Sequence, residues 1–148
     1  MKQRILNVIV LLLFVLNCGA QVKSEASTVV AEQQITAFYK QYMSMIAFEE
    51  INREKKLRLT KSIFTPRGFR KYNRYCYKHD FDALINAQDS NEMAVKTVAC
   101  KHLKDDWYQV SYLWDETKPR VYINLKLKYE KSAHKFLICE VQPLGDDL

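Results

Sequence analysis

The chain has 148 residues, a formal net charge of +6 and 27% charged residues, with only three glycines and three prolines. That length gives one domain able to bury a real core, and the composition excludes collagen-like or long disordered architectures. Four cysteines are too few for a disulfide scaffold, so the core must come from apolar packing.

Lys2 and Arg4 form a short positive start, and Ile5 to Leu16 is almost unbroken Ile, Leu, Val and Phe. Small residues follow at Cys18, Gly19 and Ala20. This is the pattern of a signal peptide over 1–20, and its apolar run is shorter than the ~20 residues needed to span a bilayer. Two processing routes are open. Ala20 before Gln21 suits ordinary cleavage, whereas Cys18 offers a lipidation site, with Leu16 and bulky Asn17 unfavourable just before it. The expected location is the periplasm or outside the cell, or lipid-anchored at the envelope, with membrane association only through Cys18. Loss of the first twenty residues removes Lys2 and Arg4 and lowers the charge to +4. Residues 21–28 are polar and read as a flexible lead-in to a single α+β domain over 29–148.

From Val29 to about Glu50 the pattern is helical. Ile35, Phe38, Tyr42, Met45 and Phe48 or Glu49 recur at three- and four-residue steps, widened by Tyr39 and Ile46, with Ser27 or Thr28 as a cap. The basic stretch Ile51 to Lys61 extends that helix or begins a second. Thr65-Pro66 marks a clearer helix start, because threonine caps and proline has no N–H to leave unpaired at the first position. Asp80 to Ile85 reads as a turn or short helical piece.

After Asn91 the period becomes two. Strands are predicted over Glu92–Leu103, Trp107–Trp114, Arg120–Tyr129 and Lys135–Val141. The links between them are short, as antiparallel neighbours require. Val121, Ile123, Leu125, Leu127 and Tyr129 alternate with wetter positions, and Tyr108, Val110, Tyr112 and Trp114 make the second strand aromatic on one side. The expected architecture is α+β, with N-terminal helices packed on a curved four-stranded antiparallel sheet.

Several segments together carry a resemblance. They are Phe38-Tyr39-Lys40-Gln41-Tyr42-Met43, Phe64-Thr65-Pro66, Asp80-Phe81-Asp82-Ala83-Leu84-Ile85-Asn86-Ala87-Gln88-Asp89, Trp107-Tyr108-Gln109-Val110-Ser111-Tyr112 and Phe136-Leu137-Ile138-Cys139-Glu140-Val141. The sequence resembles a family of uncharacterised exported proteins from Bacteroides-type bacteria. It is similar more loosely to the cystatin-like cone of the nuclear transport factor 2-like superfamily. The resemblance implies a half-open, cone-like fold. That superfamily includes enzymes, ligand binders and protein-binding modules, so fold alone does not select a use.

Candidate sites divide by chemistry. Asp80, Asp82 and Asp89 lie near Asn86 and Gln88; they suit turn and cap formation first, and paired-carboxylate chemistry only if a pocket separates their proton affinities. Cys76-x-x-His79 lacks the convergent ligands that zinc requires, so no metal is expected and no cofactor is implied. Neither a Gly-x-Ser-x-Gly elbow nor a glycine-rich phosphate loop is present, and no catalytic residue is assigned. Cys76, Cys100 and Cys139 leave three possible single bridges and an odd thiol.

Tyr39, Tyr42, Tyr112 and Trp114, with Asp89, are the candidate walls for a small apolar or sugar ligand. The alternative for these aromatics is a filled core. Between Arg53 and Arg74 nine cations face one acid, Glu54, a run that suits a solvated helix surface first and an anionic partner or membrane headgroups second. Arg67, Arg70, Lys71 and Arg74 are candidate contacts to an acidic protein, and Trp107 is a candidate anchor. Aromatic residues are not interleaved as stacking platforms, so nucleic acid is not expected. The reading is an exported, non-catalytic protein that binds a partner protein or small ligand at the envelope, in one version an inhibitor or immunity-like protein. The competing reading is a small hydrolase or isomerase with a pocket built from Asp89, Tyr42 and Tyr112.

Overall fold

A computed structural model of the chain describes residues 25, 27–48 and 52–143. The expected leader over 1–20, Cys18 and most of the lead-in lie outside the described residues. The chain divides into two units, residues 1–31 and 32–148. In the first unit the described residues are helical. Ser27 and Thr28, expected in the lead-in as caps, are within a helix, α1, that is described over 27–48. Among the described residues no helix is long and apolar enough to cross a membrane.

The second unit is α+β, with helices packed against a curved, unclosed four-strand antiparallel sheet. Ile35, Phe38, Tyr39, Tyr42, Met43 and Met45 bury the apolar stripe of α1, whereas Phe48, expected on it, is 63% exposed. The basic stretch forms a separate helix, α2 (Arg53–Ile63), started by the Asn52 side chain accepting the Lys55 N–H at 3.0 Å. Helix α3 (Pro66–His79) starts as its sequence predicts, with Thr65 Oγ1 accepting the Gly68 N–H at 3.1 Å.

The expected first strand, Glu92–Leu103, is instead a helix followed by a strand. Glu92–Thr97 forms α4 and Ala99–Lys104 forms β1. Local chemistry explains the correction. Asn91 Oδ1 accepts the Ala94 N–H at 2.9 Å, the Lys96 ammonium meets Glu92 one turn away at 2.5 Å, and Thr97 Oγ1 donates to the Met93 carbonyl at 2.7 Å. A cap and a side-chain closure at each end define a helix of one and a half turns, too short to show a period.

Strands β2 (Trp107–Tyr112), β3 (Val121–Glu130) and β4 (Lys135–Pro143) complete a sheet of order β1-β2-β3-β4. The inward row of β2 is Tyr108, Val110 and Tyr112; Trp114 falls beyond the strand. On β3, Ile123, Leu125 and Leu127 are buried, but Tyr129 is exposed. The ladder shifts between Lys126 and Leu127, which pair with Glu140 and Ile138 and leave Cys139 as the extra residue. Such a bulge increases local twist and bends the strand.

One short stretch of α1 bonds both outer strands. Thr36 Oγ1 accepts the Cys100 N–H at 3.1 Å and the Glu32 carboxylate accepts the His102 N–H at 2.7 Å, both from β1. The Gln34 amide donates to the Phe136 carbonyl of β4 at 2.8 Å and accepts the Phe136 N–H at 2.9 Å. In a flat sheet those outer strands would stand about 14 Å apart. Their shared attachment to Glu32–Thr36 ties both edges of the curved sheet to the helix. The same bonds occupy edge groups that would otherwise invite another strand.

Helix α3 meets β4 through a close backbone approach. Thr65 N donates to the Ile138 carbonyl at 3.0 Å, and a Cβ on Gly68 would lie 2.6 Å from that same carbonyl oxygen. Only a residue without a side chain permits the contact.

Candidate functional site

The segment from Asp80 to Asp89 separates two clefts. Its turn chemistry is local. Asp80 ends α3 in the left-handed region at φ 53°, and Asn86 adopts φ 47°. Both are residue types that tolerate this conformation through short polar side chains. Asp82 N donates to the Ala87 carbonyl at 3.0 Å, and Asp82 Oδ1 accepts the Leu84 N–H at 3.0 Å. Ala83, Leu84 and Ile85 are thereby turned into the core, and Asn86 to Asp89 return to the surface.

Asp82 is the polar centre of this segment and is only 9% exposed. Tyr42 donates to Oδ2, Tyr72 donates to Oδ1 at 2.9 Å, and the Lys56 ammonium lies 2.9 Å from Oδ2. With Leu84 N–H, each carboxylate oxygen has two partners. Lys56 also lies 5.3 Å from the centre of the Tyr42 ring. A buried carboxylate needs such complete pairing, because the desolvation cost is otherwise uncompensated. Burial, then the neighbouring Asp82 charge, pushes the Tyr42 and Tyr72 phenols far above their ordinary range. The arrangement is a clasp joining α1, α2, α3 and the loop, with no lone pair left to act as a base.

On one side of the loop, Lys56, Tyr72, Cys76, Phe81, Asp82 and Gln88 line a cleft of about 370 Å³ together with Asp80. The Cys76 thiol accepts the Ala83 N–H at 3.4 Å and is pushed up by burial. On the other side is a cleft of about 500 Å³. Tyr112, Trp114, Pro119, Val121 and Ala87 supply its apolar walls, and Asn86, Gln88, Asp89 and Lys118 its polar ones. The Tyr112 hydroxyl donates to the Ile85 carbonyl, pinning the loop to β2. Burial first, then Asp82, pushes that phenol up to about 12. Asn91 Nδ2 holds the Trp114 carbonyl at 2.9 Å.

Of the residues expected to form a ligand wall, Asp89, Tyr112 and Trp114 converge on this larger cleft, while Tyr39 and Tyr42 do not. Both are fully buried in the core. Tyr42 belongs to the clasp, and the Tyr39 hydroxyl has no hydrogen-bond partner among the described residues. Asp89 Oδ1 accepts the Ser90 N–H at 2.7 Å, the turn role its position predicts. Lys118 and Pro119 carry no site signal in the sequence, because they reach the cleft only through the link from β2 to β3, and Val121 carries only the strand alternation. No local signal in the sequence pairs Lys56 or Tyr72 with Asp82.

Arg67, Arg70, Lys71 and Arg74 are exposed on α3. Trp107 is half-buried on β2, with the Lys126 ammonium 5.9 Å from its ring. Cys76, Cys100 and Cys139 are all free thiols. Among the described residues no three His, Cys, Asp or Glu side chains group as metal ligands, and His79 stacks on Tyr75 at 4.3 Å.

Helices on one face of a curled antiparallel sheet, with a loop dividing two clefts, define the class of fold. The fold is shared with a protein of unknown function from Bacteroides thetaiotaomicron VPI-5482, solved by crystallography at 2.10 Å. The two are 25% identical with a TM-score of 0.74, and the similarity covers 84% of this chain and 98% of that one. No family model matches the sequence, and no curated protein matches it.

Proposed function

We propose that this chain is a non-catalytic, exported binding protein of the cell envelope that holds a small sugar-like ligand in the Trp114 cleft. The leader pattern over 1–20 supports export. The sheet curled around α1 supports the cystatin-like, nuclear transport factor 2-like cone that the sequence resemblance implies. One observation carries the ligand reading: Trp114 and Tyr112 share a cleft of about 500 Å³ with Asp89, Gln88 and Lys118. That volume and that mixture of apolar wall and few polar groups suit a small molecule. A sugar presents C–H groups to the indole face and hydroxyls to the carboxylate, amide and ammonium.

The competing reading, a hydrolase or isomerase using Asp89, Tyr42 and Tyr112, has less support. Both phenols already donate within the protein, and burial keeps them protonated well beyond neutral pH. Neither serves as a base near pH 7.

The experiment is fluorescence titration of a Trp107→Phe protein, in which Trp114 is the remaining tryptophan, with a panel of neutral, acidic and amino sugars. Saturable change with at least one sugar is expected, and the heat of binding of that sugar in titration calorimetry should be lost in Trp114→Ala with the circular dichroism spectrum retained. A folded protein that responds to no sugar overturns the reading.

A further inference from the structure

Helices α2 and α3 enclose a third cleft, of about 250 Å³, whose chemistry differs from the other two. Leu57, Phe69 and Tyr72 give it an apolar floor, while Arg53 and Lys56 stand at its wall. The Lys61 ammonium lies 5.7 Å from the centre of the Phe69 ring, adding a third cation at its border. No carboxylate lines the cleft. Between Asn52 and His79 the chain carries ten lysines and arginines against Glu54 alone, and Glu54 lies 3.9 Å from Arg58 on its own helix. Leu57 remains 42% exposed, so the floor is open to a visitor.

We infer that the α2–α3 cleft is a docking site for an acidic segment of a partner protein, one that inserts a single apolar side chain between Leu57 and Phe69 while its carboxylates meet Arg53 and Lys61. Charge complementarity selects an anionic partner, because Asp82 holds Lys56 and Glu54 faces Arg58, yet the cations of these two neighbouring helices still far outnumber the acids beside them. The recess selects a peptide over a lipid surface or a nucleic acid. A flat membrane would meet the lysines and arginines without reaching the floor. Phe69 is half-buried beside Lys61 and Tyr72 is buried, so neither is a free platform for bases. Arg67, Arg70, Lys71 and Arg74, exposed along α3, raise the field that draws the acidic segment in. This site is separate from the Trp114 cleft, and neither depends on the other.

The test is fluorescence anisotropy of the full chain with a labelled peptide of glutamates flanking one phenylalanine. The same assay is run with its phenylalanine-to-serine version, with a heparin oligosaccharide, and by sedimentation with vesicles containing phosphatidylserine. Saturable binding of the Glu–Phe peptide is expected. Leu57→Ser and the paired change Arg53→Gln with Lys61→Gln should each weaken it about tenfold. Lys56 is left intact because it holds Asp82. Failure of the Glu–Phe peptide to bind overturns the inference. Equal binding of the serine peptide, indifference to Leu57→Ser, or tighter association with heparin or vesicles overturns it too, leaving a plain cationic face.

Discussion

The Lys56 ammonium and the Asp82 carboxylate are 2.9 Å apart, and this contact fastens α2 to the loop that walls the larger cleft. The two sides of the pair are not equivalent. Asp82 is nearly enclosed, whereas the Lys56 side chain is 33% exposed. Asp82→Asn keeps the shape but sets an amide donor where Tyr42 and Lys56 also donate. A loss of about 2–4 kcal/mol in urea unfolding is expected. Lys56→Met leaves three hydrogen-bond donors on the carboxylate, and its loss should be nearer 1 kcal/mol. An Asp82→Asn protein as stable as the parent would mean that the carboxylate does not hold the loop.

How much of this was legible in sequence depends on the range of the interaction. The period of two along β3 and the Thr65-Pro66 start of α3 are local, and both elements form where they are expected. Helix α4 is local too, but its Asn91 cap sits before a segment too short to declare a period. The tie between α1 and both edges of the sheet depends on Glu32, Gln34 and Thr36, which in a helical pattern read as ordinary polar positions. In the cleft, Tyr112 and Trp114 followed from strand alternation and Asp89 from its turn. Tyr39 and Tyr42 did not follow, because periodicity shows that a residue faces the sheet, and packing alone decides whether the space between is filled.

Gly68 shows a similar limit. By helix propensity, Gly68→Ala should stabilise an exposed helix by about 1 kcal/mol. Here the added Cβ would meet the carbonyl oxygens of Ile138 at 2.6 Å and Cys139 at 2.9 Å, both backbone atoms that cannot swing away. The expected result is destabilisation by about 1–3 kcal/mol, read as a lowered melting temperature. A raised one would show that α3 is free to move off β4.

Alkaline pH should weaken the fold through its buried phenols. Burial raises Tyr39, Tyr42 and Tyr72 well above 10.0 and Tyr112 to about 12. Below the unfolded value near pH 10 both states hold these protons, so the stabilisation is complete there. Above it the unfolded chain releases them first, and stability falls by about 1.4 kcal/mol per pH unit for each group, through pH 12 for Tyr112 and beyond for the others. Urea midpoints measured from pH 8 upward should begin to fall near pH 9, where the unfolded Cys76 and Cys100 thiols ionise while burial holds the folded ones protonated, and drop more steeply above pH 10 as the phenols join them. A level profile to pH 12 would mean that these hydroxyls are open to water.

Asn91 links the stability of α4 to the position of Trp114, and two substitutions separate those roles. Its Oδ1 accepts the Ala94 N–H at 2.9 Å, while its Nδ2 donates to the Trp114 carbonyl at 2.9 Å. Asn91→Ala removes both bonds and should lower stability by about 1–2 kcal/mol. Asn91→Asp keeps the cap, which an anion at a helix start favours, but puts a carboxylate oxygen against the Trp114 carbonyl. It should therefore unfold near the parent midpoint while the near-ultraviolet circular dichroism of Trp114, read in a Trp107→Phe background, loses intensity. If Asn91→Asp leaves that signal unchanged, the indole is held by Pro119 and Val121 across the cleft, and the bond from Asn91 contributes only to the helix.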